Sequence, residues 1–388
     1  MELFLFEKSW FFMDTLFRLF GIYPCQRIGE SGLKPTSTCR FWTRYVFTAT
    51  INVLIVGTPI AYASWKETNF DIFIQAFLEE FVVTLYDKIA MLAMSVAPLI
   101  VHTVCIMKIG IFKERICRLQ QYVNENVNNS GSICNVSTWK FLKHVAIYSS
   151  LMIGAGLFTF IGWFYSIKVK INLSWIVTHV MILSNLIHSF FTFMPLFYFT
   201  MVYFEVTMKL VDYCDTITKK SSLLIEESKV FIFILKEFSS MVSPFIFNIF
   251  STNFVLLLVI SFFVYTESLS LTGIEKMVWY AYFPLIGMVL NVGYVITLSY
   301  SYCTLSEDLA DKVQRLKIAV LSNGSHQAED IIQELDEFKG FDANGYFTLN
   351  HSLLTAMTTN FATFLVILVQ FKQSEKSGES PSQGNLNL

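Results

Sequence analysis

Phe347–Phe371 reads FTLNHSLLTAMTTNFATFLVILVQF, a stretch without one Asp, Glu, Lys or Arg. As an α-helix it would be about 37 Å long, enough to cross a hydrocarbon core of about 30 Å. Working outward, six more apolar runs precede it: Tyr45–Trp65, Val82–Met107, Val145–Ile167, Leu173–Val206, Pro244–Glu267 and Met277–Tyr302. In lipid every backbone N–H and C=O must find its partner within the chain, which a helix achieves alone. The pattern predicts an all-α polytopic membrane protein with seven transmembrane helices. The fourth run exceeds a bilayer, so its end is expected to tilt or project beyond it.

Composition agrees. Of 388 residues 54% are hydrophobic and only 15% charged, with 39 Phe, whereas soluble domains carry about a quarter charged residues. A net charge of -2 offers no basic surface for nucleic acid. Soluble enzyme, disordered regulator and disulfide-rich secreted scaffold are set aside. There is no H-E-x-x-H, G-x-S-x-G or P-loop, and the six histidines are dispersed. No catalytic site, metal site or cofactor is expected. The seven cysteines form no C-x-x-C pair, and most read as reduced apolar fillers. Met1–Lys8 mixes acid into its apolar stretch and leads to no small-residue cleavage site, unlike a signal peptide.

Basic residues fix an expected orientation. Four segments, before run one and after runs two, four and six, together hold 21 Lys and Arg; the opposite side holds six. The N-terminus is therefore expected in the cytoplasm and the C-terminus outside, the reverse of a G-protein-coupled receptor. Run three also lacks an acidic-Arg-aromatic triplet and run seven lacks proline.

The expected organisation has five parts. Residues 1–44 form a cytoplasmic segment with an interfacial helix around Phe11–Phe20. Residues 45–302 hold helices one to six, a ligand-binding outer half and cytoplasmic helical connections. Residues 303–346 are cytoplasmic helices, 347–372 the last span and 373–388 a disordered extracellular tail. After run two, Ile109, Phe112, Ile116, Leu119 and Val123 recur at helical spacing; after run six, Leu305, Leu309, Val313, Leu316 and Val320 do the same. Their partners lie either within the subunit or in a neighbouring one. Asn323-Gly324 is a turn signal that splits the last connection into two helices.

The last span carries a polar stripe. Ser352, Thr355, Thr359, Thr363 and Gln370 fall within an arc of about 80°. Such hydroxyls either line a water path or bond backbone and neighbouring helices. One helix encloses nothing, so a pore requires several copies about an axis. The outer loops are short, which puts any ligand site among the helices. Candidates are Tyr86, Asp87, Trp163, Tyr165, Trp175, His179, Tyr265, Glu267, Trp279, Tyr280 and Tyr282. Aromatics stack on sugar or alkaloid faces and Asp87 or Glu267 pairs a cation. The same aromatics also suit the membrane-interface belt. Asp87, close to the start of a span, calls for a partner or a wet cavity.

Thr363-Phe364-Leu365-Val366-Ile367-Leu368-Val369-Gln370-Phe371 resembles the insect gustatory receptor signature: Thr-Tyr, five hydrophobic residues, then Gln-Phe. Gly345-Tyr346-Phe347-Thr348-Leu349-Asn350 is similar to that family's approach to the helix. The motif covers under a tenth of the chain but sits in the last of seven spans with inverted topology. The resemblance implies a ligand-gated, non-selective cation channel in the plasma membrane of sensory neurons. It implies a homotetramer, or a hetero-oligomer with related receptors, joined mainly through a cytoplasmic anchor domain, which 303–346 would help form. By motif position, Ile367 corresponds to the hydrophobic constriction, Gln370 to the polar ring at the outer mouth, and Phe371 flanks it. Thr363 opens the motif. Phe364 replaces the usual Tyr and lacks its hydroxyl. Leu365 stands where the sugar branch commonly has Glu, which leaves a bitter compound or a fructose-type sugar as the tastant. Partners are then the tastant, monovalent and divalent cations and the bilayer. A metabotropic chemoreceptor and a small-molecule transporter are the rival readings; no internal repeat supports the latter.

Overall fold

The computed structural model describes residues 25–28, 32–35, 37–43, 46–47, 50, 104–119, 121, positions scattered over 147–158, 175–219, 224–271, 282–322 and 328–378. The architecture is all-α, and each of the seven apolar runs contains described helical residues. A short antiparallel hairpin, β1 (Cys25–Ile28) and β2 (Gly32–Pro35), pairs Cys25 with Pro35 and Ile28 with Gly32. Gly29, Gly32 and Pro35 make this stretch a poor helix. Helices α1 (38–43) and α2 (104–119) follow. Then come α3 (Trp175–Lys219), α4 (Leu224–Leu271), α5 (Tyr282–Ser322), α6 (Ala328–Glu337) and α7 (His351–Gly378). Among the described residues, two helices are long and apolar enough to cross a membrane, within Leu224–Val259 and His351–Phe371.

Three rods dominate. α3, α4 and α5 have 45, 48 and 41 residues, about 60–70 Å each at 1.5 Å per residue. All three outrun a bilayer, as expected for run four. α4 begins twenty residues before Pro244, and α5 runs twenty residues past Tyr302. Those extra turns, with α2, α6 and the end of α3, form a base with its own share of the buried core.

The core of the base follows the helical spacing. Leu305, Leu309, Val313, Leu316 and Val320 are all buried, as are Ile109, Ile116 and Leu119 of α2. The partners left open by the periodicity are therefore inside the subunit. Aromatics fill the junction above. Tyr203 stacks on Tyr302 with centroids 4.3 Å apart, and Phe199 on Phe245 at 3.9 Å. The Tyr203 hydroxyl donates to the Tyr302 carbonyl at 3.1 Å, and the Tyr302 hydroxyl to Thr200 Oγ1 at 3.1 Å. Buried phenols thus keep hydrogen-bond partners while their rings supply apolar area.

Polar ties sit around this base. Arg115 reaches Glu237 at 2.8 Å, Lys312 reaches Asp215 at 2.6 Å and Lys317 reaches Asp336 at 2.5 Å. α6 carries Glu329 and Asp330 in its first turn, where the helix dipole favours acids, and buries Ala328, Ile331 and Leu335. α5 ends at Ser322 and α6 starts at Ala328, so the connection holds two helices as expected; Asn323-Gly324 itself lies outside the described residues. Gly110 lets α1 lie close on α2, since a Cβ there would come 3.0 Å from the Trp42 ring.

Cys39, Cys105, Cys214 and Cys303 are free thiols. Burial, then the neighbouring Asp215 charge, pushes the Cys214 thiol up to about 12, so it stays protonated and inert. Cys117 departs from the reduced-filler expectation and is disulfide-bonded. The interfacial helix expected around Phe11–Phe20 lies outside the described residues.

Candidate pore helix

Residues 338–350 turn the chain from α6 into α7. Phe341, Ala343 and Leu349 are fully buried and wedge the strap into the core. Asp342 bridges Thr348, and the turn between them passes through Asn344 and Gly345 at φ 53° and 76°. Asn and Gly tolerate this left-handed region, where most side chains strain. Gly340, at φ 115°, is needed on two counts, because a Cβ there would also come 2.9 Å from Ser306 Oγ.

α7 then starts with its first amides satisfied from two sources. Leu353 N donates to the Asn350 side chain at 2.8 Å, a cap of the usual kind. His351 N donates to Glu307 Oε1 at 2.5 Å, and the His351 ring bonds the other Glu307 oxygen. The second cap comes from α5 rather than from α7 itself.

Along α7 the two faces differ. Leu354, Met357, Phe361, Leu365 and Leu368 are half-buried at steps of three and four, facing α4 and α5. Phe364 meets Phe254 of α4 edge-on at 6.3 Å. Ser352, Thr355, Thr359, Thr363 and Gln370 are all exposed. At 100° per residue their stripe is centred roughly 180° from the packed face. Ile367 and Phe371 lie at the flank of the stripe, 38% and 51% exposed. No described side chain of α7 is buried.

The threonines meet their own needs within the helix. Thr355, Thr359 and Thr363 hydroxyls each donate to the carbonyl four residues back, at 3.2, 3.0 and 3.0 Å. This is the backbone bonding that lets Thr sit in an apolar helix. Once the proton is used this way, the hydroxyl oxygen turns only lone pairs outward. These three threonine oxygens are then acceptors on the exposed face, suited to water or a cation.

α7 runs past the expected boundary at residue 372 and ends at Gly378. Gln373, Glu375 and Lys376 are good helix formers, so the helix gains another turn before glycine stops it. Gln373 Nε2 donates to the Tyr265 hydroxyl at 3.5 Å. Tyr265 thus stands beside the end of α7. Trp175 and His179 fall in the first two turns of α3, Glu267 near the end of α4, and Tyr282 opens α5. Tyr86, Asp87, Trp163, Tyr165, Trp279 and Tyr280 lie outside the described residues. The sequence reading did not single out Glu307, Ser243 or Asp342. The Asn344-Gly345 dipeptide was the signal available for the turn, but nothing local points to partners about a hundred residues away.

No protein-family model and no curated protein matches the chain by sequence. Solved structures do match. The insect olfactory receptor OR5 from Machilis hrabei in complex with eugenol is similar at TM-score 0.58 and 14% identity, over 94% of this chain and 100% of that one. A second structure of that receptor gives TM-score 0.61 and 14% identity, over 94% of this chain and 98% of that one. At this identity the likeness is one of fold, and it spans nearly the whole of both chains: the protein shares the fold of that insect olfactory receptor.

Proposed function

We propose that the chain is a gustatory member of the insect chemoreceptor superfamily, acting as a tastant-gated, non-selective cation channel. The observation that carries this is the two-faced last helix. α7 packs on its own subunit through one face and turns an exposed polar stripe, with the acceptor oxygens of Thr355, Thr359 and Thr363, the opposite way. Four copies of that stripe about an axis would enclose a wet, cation-favouring path. The assembly is a homotetramer, open to hetero-oligomers with related receptors, in the plasma membrane of sensory neurons. The N-terminus is cytoplasmic and the C-terminus outside, in line with the basic residues. Ile367 forms the apolar constriction that closes by dewetting, Gln370 the outer polar ring, Phe371 its flank, and Thr363 the wet wall below. The tastant is a bitter compound or a fructose-type sugar, bound among the outer helix halves.

The test is expression alone in a heterologous cell, with sugars and alkaloids applied and current recorded in excised patches. A channel conducts there; loss of the response on blocking G-protein signalling favours a metabotropic receptor, and saturable flux without unitary currents a transporter. Ile367→Ala should raise basal conductance at normal surface expression, and unchanged current would sink the constriction. Substituting Gln370 should change permeability ratios.

A further inference from the structure

We propose that Glu307 and Ser243 are positioning residues that couple α5 and α4 to the pore helix through the strap at 338–350. The inference rests on the channel reading above and concerns how that channel is worked.

The strap is tied to both rods. Ser243 of α4 is almost fully buried; its hydroxyl donates to Asp342 Oδ1 at 2.9 Å and accepts from Asn344 N at 2.6 Å. Asp342 Oδ2 in turn accepts from Gly345 N at 3.1 Å, so one carboxylate serves both rod and turn. On the α5 side Ser306 Oγ accepts from Phe341 N at 2.9 Å, and the next residue, Glu307, takes the first amide and the ring of His351. With Phe341, Ala343 and Leu349 fully buried, the strap is packed into the base.

The base of α7 is therefore fixed by a carboxylate from α5, with charge-assisted bonds that are stronger than neutral ones. Further along, α7 packs on α4 and α5 through its half-buried apolar face, with the edge of Phe254 on Phe364 and a long Gln373–Tyr265 bond, and no charged tie among the described residues. A stiff helix held firmly at one end follows the element that holds it. Both rods are continuous from the candidate ligand residues to these ties. Tyr265 to Ser243 is about 33 Å of continuous helix, with Pro244 beside Ser243, and Tyr282 to Glu307 about 37 Å. A relative shift of α4 and α5 at their far ends therefore reaches the root of α7 directly. Coupling of this kind is a free energy shared between two sites, so cutting a tie lowers the ligand's effect on opening and leaves the pore's chemistry unchanged.

The experiment uses the full chain with fructose and quinine as probes, reading the ratio of ligand-evoked to basal current and the reversal potential. Glu307→Ala and Ser243→Ala should each lower the ratio about fivefold or more, with Glu307→Gln intermediate because it keeps one acceptor. Reversal potentials should stay at the wild-type value, a split that a generally damaged fold would not give. Wild-type ratios in all three variants, or altered reversal potentials, overturn the inference while the channel reading stands. A wild-type chain that passes no current, basal or evoked, overturns both. Hydrogen exchange on the purified chain reads the tie without any current. The amides of His351 and Leu353 should exchange about tenfold faster in Glu307→Ala, and wild-type exchange overturns the tie.

Discussion

α5 and α7 meet at Glu307 and His351, and they use their apolar residues in opposite ways. Beyond Tyr302, α5 is rich in charge, with Glu307, Asp308, Asp311, Lys312, Arg315 and Lys317, yet its five apolar positions are buried to 8% exposure or less. α7 has no charged residue from His351 to Phe371 if the histidine is neutral, and none of its described side chains is buried. The more charged segment, α5 beyond Tyr302, is the one in the core. Burial depends on whether apolar positions line up on a face with partners inside the subunit, not on how many there are. Val366 at 55% and Phe364 at 48% exposure remain for lipid or for other copies.

The largest effect expected from this contrast is at the junction of the rods. Tyr302→Ala should cost about 3–5 kcal/mol, because it empties a packed aromatic site and removes the bond to Thr200. Val366→Ala on α7 should stay within about 0.5 kcal/mol. Thermal unfolding of the detergent-purified chain, followed by size exclusion, measures both. Equal losses would break the comparison.

Next is the strap. Gly340→Ala should cost about 1–3 kcal/mol, since the backbone sits at φ 115° and the added methyl meets Ser306 Oγ. Gly345→Ala separates the two causes, having a positive φ but open space around it. A melting temperature unchanged in Gly340→Ala would show that the strap is not fixed.

Thr359→Val sharpens the reading of the stripe. It removes an outward oxygen and its bond to the Thr355 carbonyl. Stability should change by only about 0.5 kcal/mol, while unitary conductance should fall. A collapse in stability with unaltered conductance would make the stripe helix glue.

The smallest effect concerns pH at the base. The Lys317 ammonium, through its hydrogen bond and then its charge, holds the Asp336 carboxyl below the usual carboxylate range. A depressed folded pKa stabilises above the unfolded value and is lost as pH falls through the folded one. The stability difference between wild type and Asp336→Asn should therefore be present at pH 6 and fade below about pH 4. It is small because the carboxylate is exposed.

Much of this was readable from the chain. The spacing of Leu305, Leu309, Val313, Leu316 and Val320 marked both a helix and its buried face, and that the connection divides into two helices was legible too. The stripe from Ser352 to Gln370 was legible because a helix maps spacing directly onto angle. The strap was not. Its Asn344-Gly345 turn has a local signal, but Ser243 and Glu307 are ordinary residues until the fold brings them to Asp342 and His351.

By itself the sequence determined quantities set by neighbours along the chain: which runs are helical, how long they are, where they break and which residues share a face. The tertiary structure decided the rest. It chose partners within the subunit for the α5 extension, turned the stripe of α7 away from its own subunit, and placed an α5 carboxylate at the root of the last helix. Periodicity fixes the direction a side chain points relative to its own helix axis. What waits in that direction is set by the packing of helices remote in sequence.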